Sequence, residues 1–491
     1  MKTLAKQILC LCLSLVLVLG LSACGSSGAA SSKKAELLSM DARPDAPSEI
    51  PEGLDIDWNY RYTFAELESQ LSKMAEAYPD ITALYSIGTS WQERDFWCME
   101  ITNKAIPAEE KTGIGVFANI HGGERESASS AMYTAWWLTL CSGDDYVKGL
   151  LDNYIIYIIP VINPDGYEQS FVINNRPNLR PRDANGDNIP YSDPYTDIDG
   201  DGFIATLYRG KTDDTPSRDL PVFGMESPDW DENGILGDDP RTSGIDMNRT
   251  FDYQWNRYDI ETKDGQQVGN VNWTTAGTAP ATEPEIKALQ QFMYEHEIDA
   301  LVSLHTGIQS VLYPWCYRAY DADDPKDAEI PFMKETASQM AQAFQNYTGR
   351  GFYSMSSNED YPTAAELIDY AYGRYNIHAY TIEVYSPGKS EDGDISACKW
   401  ENTMPEAKWV FYSRDDIRDK LGLDPDAITG KDGVGLAADE GLWFYTSPTN
   451  QMVNRAPEEQ DVMVRGCRDA ILTMIESEPS GNGYQNLGYY K

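Results

Sequence analysis

Four histidines occur in this 491-residue sequence: His121, His296, His305 and His378. Two stand where chemistry is easily built. His121 follows the apolar run GIGVFANI and opens His121-Gly122-Gly123-Glu124, and His305 follows the run ALVSL. Such runs read as strands, and strand ends are where α/β sheets present ligands. A His and a Glu three residues apart converge when the chain turns into a helix. Two imidazoles and one carboxylate fill three corners of a tetrahedral zinc site and leave the fourth to water or a carbonyl oxygen. Zinc in an open site polarises the carbonyl and brings the pKa of water to about 7, which is what hydrolysis needs. His-x-x-Glu is a short motif, however, and either histidine could equally be a core residue with its hydrogen bond satisfied. His296 lies in the polar helix end YEHEID and reads as a surface residue. His378, in YNIHAYTIE ahead of a buried strand, reads as structural.

A second group of ligand-type residues is oxygen-rich. Asp183-x-Asn185-x-Asp187, Asp197-x-Asp199-x-Asp201-Gly202 and Asp229-x-Asp231-x-Asn233-Gly234 repeat the 1, 3, 5 spacing of calcium loops, the latter two with Gly at position 6. Position 12 is Tyr208 in the second loop and Pro240 in the third, where an EF-hand carries a bidentate Glu. A full EF-hand is therefore excluded. Two readings stay open: bound calcium, or the turn chemistry of Asp, Asn and Gly in solvated loops.

The elements that must position these residues follow from periodicity. Residues 63–78 carry apolar positions at helical spacing behind Thr63, with Glu66 three residues on, a capping-box pattern that predicts a helix. Residues 84–87 and 96–101 predict strands joined by a polar turn. Residues 113–120 and the run YIIYIIPVI at 154–162 predict strands covered on both faces. Helices are expected over 127–141, 283–297 and 458–478, and short strands over 300–304 and 379–384. Strands alternating with helices make an α/β fold with a mixed sheet. Two stretches break the rhythm: 174–244, rich in Asp, Gly, Pro and Asn, and 389–449. The first is too long for an ordinary connection, so it is a functional insertion or a disordered one; the second is similarly irregular and separates the last core strand from the closing helix.

The first residues read as a targeting segment. Lys2 and Lys6 precede an apolar run at 8–21 that is too short to span a bilayer comfortably, ending in Leu21-Ser22-Ala23-Cys24. That ending resembles the lipobox of bacterial lipoproteins, which implies a signal peptide over 1–23, a lipid on Cys24 and an extracytoplasmic, membrane-anchored protein; an ordinary secretory signal, giving a secreted protein, is the alternative. Residues 24–55 have the composition of a flexible tether. The formal net charge of −39 becomes about −41 once Lys2 and Lys6 leave with the signal. Such a chain repels nucleic acid and anionic membrane surface, so contact with the membrane is expected only through the lipid. Cys98, Cys141, Cys316, Cys398 and Cys467 remain in the mature chain. Their number is odd and their spacing matches neither a zinc ribbon nor a disulfide framework, so most are expected as buried small hydrophobes. The spacing leaves the oligomeric state open.

Five motifs in order carry a family resemblance: HGGE, NPDGYE (163–168), GIDMNRTF (244–251), LVSLHTGIQSVLYPW (301–315) and YTIEVY (380–385). Together with FAELESQLSKMAEAYPDITALYSIGTSWQERDFWCMEI they resemble the carboxypeptidase A-like zinc metallopeptidases, from about Tyr60 to Pro387 and again in the closing helix. The resemblance implies a mixed eight-stranded sheet flanked by helices, a catalytic domain over 56–480 and a short tail over 481–491. It implies a metallocarboxypeptidase acting on peptide or protein C-termini, with His121, Glu124 and His305 as zinc ligands and Glu383 as the catalytic carboxylate. A carboxylate inside the apolar strand AYTIEVY is costly to bury unpaired, so it asks for a cation or a catalytic task. Asn248 and Arg249 match the pair that holds the substrate's terminal carboxylate, for which the planar fork of Arg is suited. Tyr361 matches the tyrosine that closes over substrate. Arg180, in NLRPRD, is the expected oxyanion arginine, with Arg176 and Arg182 as alternatives. Ile368 matches the base of the specificity pocket and points to apolar or aromatic C-terminal residues. The segment ahead of the domain is too short and polar for a folded propeptide. Two other functions fit parts of the sequence: a peptidase of γ-D-glutamyl bonds in peptidoglycan stems, and a non-catalytic zinc- or calcium-binding surface lipoprotein.

Overall fold

The computed structural model describes residues 43–47, 49–241, 244–255, 257, 276–385, 406–447 and 460–478. The signal segment, Cys24 and Cys398 lie outside them. Eight strands form the main sheet: β1 (Thr82–Thr89), β2 (Asp95–Ile101), β3 (Thr112–Ala118), β4 (Tyr154–Ile159), and, after two strands of a second sheet, β7 (Ala300–His305), β8 (Ser310–Tyr313), β9 (Tyr353–Ser356) and β10 (His378–Glu383). Their order is β1-β2-β4-β3-β7-β10-β8-β9. The central strands β4, β3, β7 and β10 run parallel. β1, β2 and β8 join antiparallel. β3, β4 and β7 are buried at every residue, as strands covered on both faces are.

The helices that shape the site are α1 (Phe64–Ala77), α2 (Arg125–Leu140), α3 (Pro164–Gln169), α4 (Pro284–Glu295), α5 (Ile330–Thr348), α6 (Leu367–Tyr375), α7 (Arg414–Asp419) and α8 (Gln460–Ser477). α1 begins with the expected capping box, Thr63 and Glu66 each bonding the other's backbone N–H. α2 and α5 both pack on the closing helix α8 and on strands of the sheet, while α4 packs on β1 and α6 on β10 and β7.

The two irregular stretches are ordered in large part, and they meet. β5 (Thr206–Gly210) and β6 (Val222–Met225) come from the first; β11 (Lys408–Tyr412) and β12 (Gly441–Thr446) come from the second. They form a four-stranded antiparallel sheet in the order β11-β12-β5-β6. It has a core of its own, including Leu207, Phe223, Leu236, Leu442 and Phe444, with Ile417 of α7 packed on it.

The tether expectation is corrected over its last part. Arg43 is ion-paired with Glu476 of α8 at 2.9 Å, the Leu54 carbonyl accepts from Trp136 Nε1 at 2.8 Å, and Leu54 lies in the main core. Scattered apolar side chains and satisfied backbone polar groups hold this segment down. Cys98, Cys141, Cys316 and Cys467 are buried free thiols, as small hydrophobes are. No helix among the described residues is long and apolar enough to cross a membrane.

Candidate metal centre and active-site cleft

Parallel strands β3, β7 and β10 end side by side. In the β7–β10 register Glu383 pairs with His305, so both side chains emerge at the same level. His121 lies three residues past the end of β3, on a loop that turns into α2. Asn119, with φ of 56°, holds that loop by donating from Nδ2 to the carbonyls of His121, Gly122 and Glu124. Gly122 and Gly123 donate their N–H groups to the carbonyls of Arg176 and Asn175. A Cβ on Gly122 would lie 2.2 Å from the Gly166 carbonyl carbon. Only glycine lets the HGGE loop sit that close to the NPDG turn at the start of α3.

The loop carries three donor atoms to one point. His121 Nδ1 is 2.8 Å from Glu124 Oε1, His305 Nδ1 is 3.0 Å from Glu124 Oε2, and the two Nδ1 atoms are 3.2 Å apart. Ligand atoms held about 2.0–2.1 Å from one tetrahedral zinc lie about 3.3 Å from each other, so the cluster already has close to the size of a zinc site. The far side of each ring is backed by a polar atom. His305 Nε2 is 2.9 Å from Ser303 Oγ, and His121 Nε2 is 3.3 Å from Asp246 Oδ1. Such backing fixes the ring orientation of a metal ligand. Burial opposes the charge on Glu124, but His121 and His305 together hold its carboxyl well below the usual range. The donor set, two imidazoles and an ionised carboxylate, therefore fits zinc.

A cleft of about 520 Å³ opens on this cluster, lined among others by Arg176, Asn248, Tyr361, Glu366 and Glu383. Glu383 Oε2 is buried without a hydrogen-bond partner among the described residues. Burial pushes the Glu383 carboxyl up to about 8; His305 opposes this, and Glu124 and Asp360 add to it. Asn248 and Arg249 occupy a single 3₁₀ turn, Met247–Arg249, capped by Asp246 Oδ1, which accepts from Asn248 N at 3.0 Å. Arg249 donates from Nη2 to Tyr361 Oη at 3.2 Å and from Nη1 to Glu366 Oε1 at 2.9 Å. Tyr361 is 52% exposed, as a residue free to swing over the cleft needs to be.

Two sequence assignments are placed elsewhere. Arg180 donates to Glu283 Oε1 at 3.1 Å and lies over the Trp91 ring, outside the cleft lining. The arginine at the cluster is Arg176, with Nη1 3.6 Å from Glu124 Oε1 and Nε 2.7 Å from Asp246 Oδ2. It is there because its own carbonyl and that of Asn175 anchor the HGGE loop. Ile368 is 1% exposed in the main core and does not line the cleft. It sits on α6, whose apolar side packs on the sheet, and the residue that reaches the cleft is Glu366, two positions earlier.

Asp246 was not legible as a site residue. Its oxygens touch His121, Arg176 and the Asn248 amide at once. Burial opposes its charge, yet Arg176, His121 and Arg249 hold its carboxyl well below the usual range. Its position two residues ahead of Asn248-Arg249, at the cap of a tight turn, is the one signal available in sequence.

His296 is half-buried against Phe292, and His378 is bonded to Glu478 at 2.8 Å. The Asp-rich loops gather into three acidic groups: Asp183, Asp187 and Asp239; Asp193, Asp229 and Asp231; Asp197, Asp199 and Glu226. Asp193, Asp239 and Glu226 are buried members not anticipated from the loop spacing. Asp201 falls in none of the groups. Asn185 and Asn233 both turn their amide nitrogens to Asp231.

Among known proteins, the family model described as "Zinc carboxypeptidase" matches residues 67–404. Zinc carboxypeptidase A 1 of Drosophila melanogaster is 24% identical over 325 residues, 65% of this chain and 60% of the relative. Human mast cell carboxypeptidase A is 21% identical over 370 residues, 72% of this chain and 71% of the relative. The chain thus spans about 60–70% of the lengths of these two relatives. The crystal structure of carboxypeptidase A from Helicoverpa armigera aligns at a TM-score of 0.48 with 15% identity, covering 90% of this chain and 81% of that one.

Proposed function

This chain belongs to the zinc carboxypeptidase family, and from that premise we propose that it removes the C-terminal residue of peptides and proteins by zinc-dependent hydrolysis. One observation carries the reading: a zinc-sized donor cluster, the Glu383 carboxylate with an oxygen unpartnered among the described residues, and Tyr361, to which the buried Arg249 donates, all line one cleft.

Zinc held by His121, Glu124 and His305 supplies Lewis acidity at the scissile carbonyl and lowers the pKa of water. The chain's own groups do the rest. Arg249 already uses both Nη1 hydrogens on Glu366 and the Asn248 carbonyl and one Nη2 hydrogen on Tyr361. Its Nη2–Nε edge, without another hydrogen bond among the described residues, can take a terminal carboxylate in a two-pronged bond. Only a chain end offers that group, so this contact sets exopeptidase action. Tyr361 closes over the bound residue and excludes water. Glu383 accepts a proton from the attacking water and returns it to the leaving amine, the task for which a carboxyl with a raised pKa is suited. Arg176 donates to the oxyanion as it develops. Asp246 positions Arg176, His121 and the Asn248 turn without touching substrate. Incubation with blocked dipeptides, with and without 1,10-phenanthroline, tests the reading. Chelator-sensitive release of one amino acid is expected, and release that persists in Glu383→Gln would reject the assigned roles.

Calcium in the acidic loops is a further part of the proposal. Three groups of three acids each crowd their carboxylates within 4.8 Å. Burial pushes Glu226 up to about 8, its backbone donors opposing and Asp199 adding. A divalent cation relieves that repulsion. We also keep the extracytoplasmic, lipid-anchored location proposed on Cys24; detergent-phase partition that Cys24→Ser abolishes is the expected result. An apolar C-terminal preference loses its support, because Ile368 is in the core.

A further inference from the structure

Glu366 is the N-cap residue of α6, yet its side chain does not cap the helix. The Leu367 N–H is taken by Asn248 Oδ1 at 2.9 Å instead. The Glu366 carboxylate, 7% exposed, is thereby turned to the cleft wall, where Arg249, the Thr363 hydroxyl, Asn248 Nδ2 at 3.4 Å and Cys316 Sγ at 3.4 Å surround it. Behind it lies Asp369, fully buried, bonded to the Cys316 amide and without an ion pair among the described residues. Burial pushes Asp369 up to about 7, the Cys316 amide opposing and Glu366 adding.

Two carboxylates thus crowd this end of the cleft; the cleft-lining guanidinium of Arg176 pairs with Glu124 and Asp246, and among the described residues the one ion-pair partner of Glu366 is Arg249. On the proposed reading, a substrate brings a third carboxylate, its own terminus, and places it on Arg249. With an apolar C-terminal side chain the cleft would then enclose Glu366 with its one ion-pair partner shared, which is costly. A cationic side chain supplies the missing charge. Ile308 and Leu312 line the same cleft and suit the methylene stem of a long basic residue.

We infer that Glu366 selects substrates ending in arginine or lysine, facing the basic side chain while Arg249 holds the terminal carboxylate. The inference rests on the carboxypeptidase reading. The test compares kcat/KM of the zinc-loaded full chain on benzoylglycyl-arginine and benzoylglycyl-phenylalanine. Arginine is expected to lead by at least about 30-fold, the scale on which a site built for a polar group rejects an analogue lacking it. Glu366→Gln is expected to cut that ratio at least about tenfold, chiefly through KM for the arginine substrate. Equal or faster release of phenylalanine by the wild-type chain overturns the inference and leaves the carboxypeptidase reading standing. So does an unchanged ratio in an active Glu366→Gln. Cleavage of neither substrate overturns both.

Discussion

Asp246 does with two oxygens what three side chains would otherwise do separately. One oxygen faces His121 and caps the Asn248–Arg249 turn, and the other binds Arg176. Removing it unsettles metal, oxyanion donor and carboxylate clamp together, so Asp246→Ala should lower kcat/KM by about 10²-fold and weaken zinc roughly 10- to 100-fold. Titrating zinc against a chromophoric chelator reads the second effect, and unchanged affinity would contradict the backing role. Arg176→Ala should cost about 10²–10³ in kcat, as loss of one oxyanion donor does, whereas Arg180→Ala should stay within a few-fold. At this scale the three-donor cluster and Glu383 were legible because their surroundings are extreme: scarce histidines at strand ends and a carboxylate in an apolar strand. Arg176 against Arg180, and Glu366 against Ile368, were not. Those choices depend on which way a side chain leaves a loop or a helix start, which is set by contacts made from distant segments.

The HGGE loop shows how one element fixes another. Gly122→Ala places a methyl 2.2 Å from Gly166 backbone, and the loop must retreat. The variant should lose about 3 kcal/mol of stability and fall below one zinc per chain; full zinc content would mean that the loop adapts without cost. The other end of β10 supplies a pH test. His378 is bonded to Glu478 of the segment ending α8, with Glu329 3.8 Å away and Asp299 nearby. Burial opposes its protonation, but Glu478 and Glu329 raise its pKa above the ordinary value of about 6.5. Its contribution is therefore complete below about pH 6.5 and is lost as pH rises through the raised value. His378→Gln should flatten that decline in unfolding free energy between pH 6 and 9, by on the order of 1 kcal/mol, read by denaturant titration. The long elements were readable since capping box and periodicity agree in α1 and continuous apolar runs mark β3 and β4. The second sheet was not, because its central pair, β5 and β12, lies more than 200 residues apart in sequence, with Tyr445 paired to Thr206.

The molecule as a whole is a zinc carboxypeptidase fold carrying a small acidic β-module. If calcium fills the loops, EGTA should lower Tm by at least about 3 °C, as loss of a ligand that stabilises the folded state by a kcal/mol or more does. No shift, at calcium levels restored and removed in turn, would leave the loops as turns alone. The strong negative charge favours solubility and repels anionic surfaces, which suits the proposed action on peptides one end at a time. The proposed exopeptidase action joins two features: a zinc-sized donor cluster of His121, Glu124 and His305 in the cleft, and the Arg249 guanidinium beside Tyr361 proposed to take a free chain end. The most direct measurement is mass spectrometry of one peptide digested in two forms, with a C-terminal carboxylate and with a C-terminal amide. Single-residue loss from the free acid, with the amide intact, is the predicted result. Equal digestion of both forms, or cuts within the peptide, would contradict it.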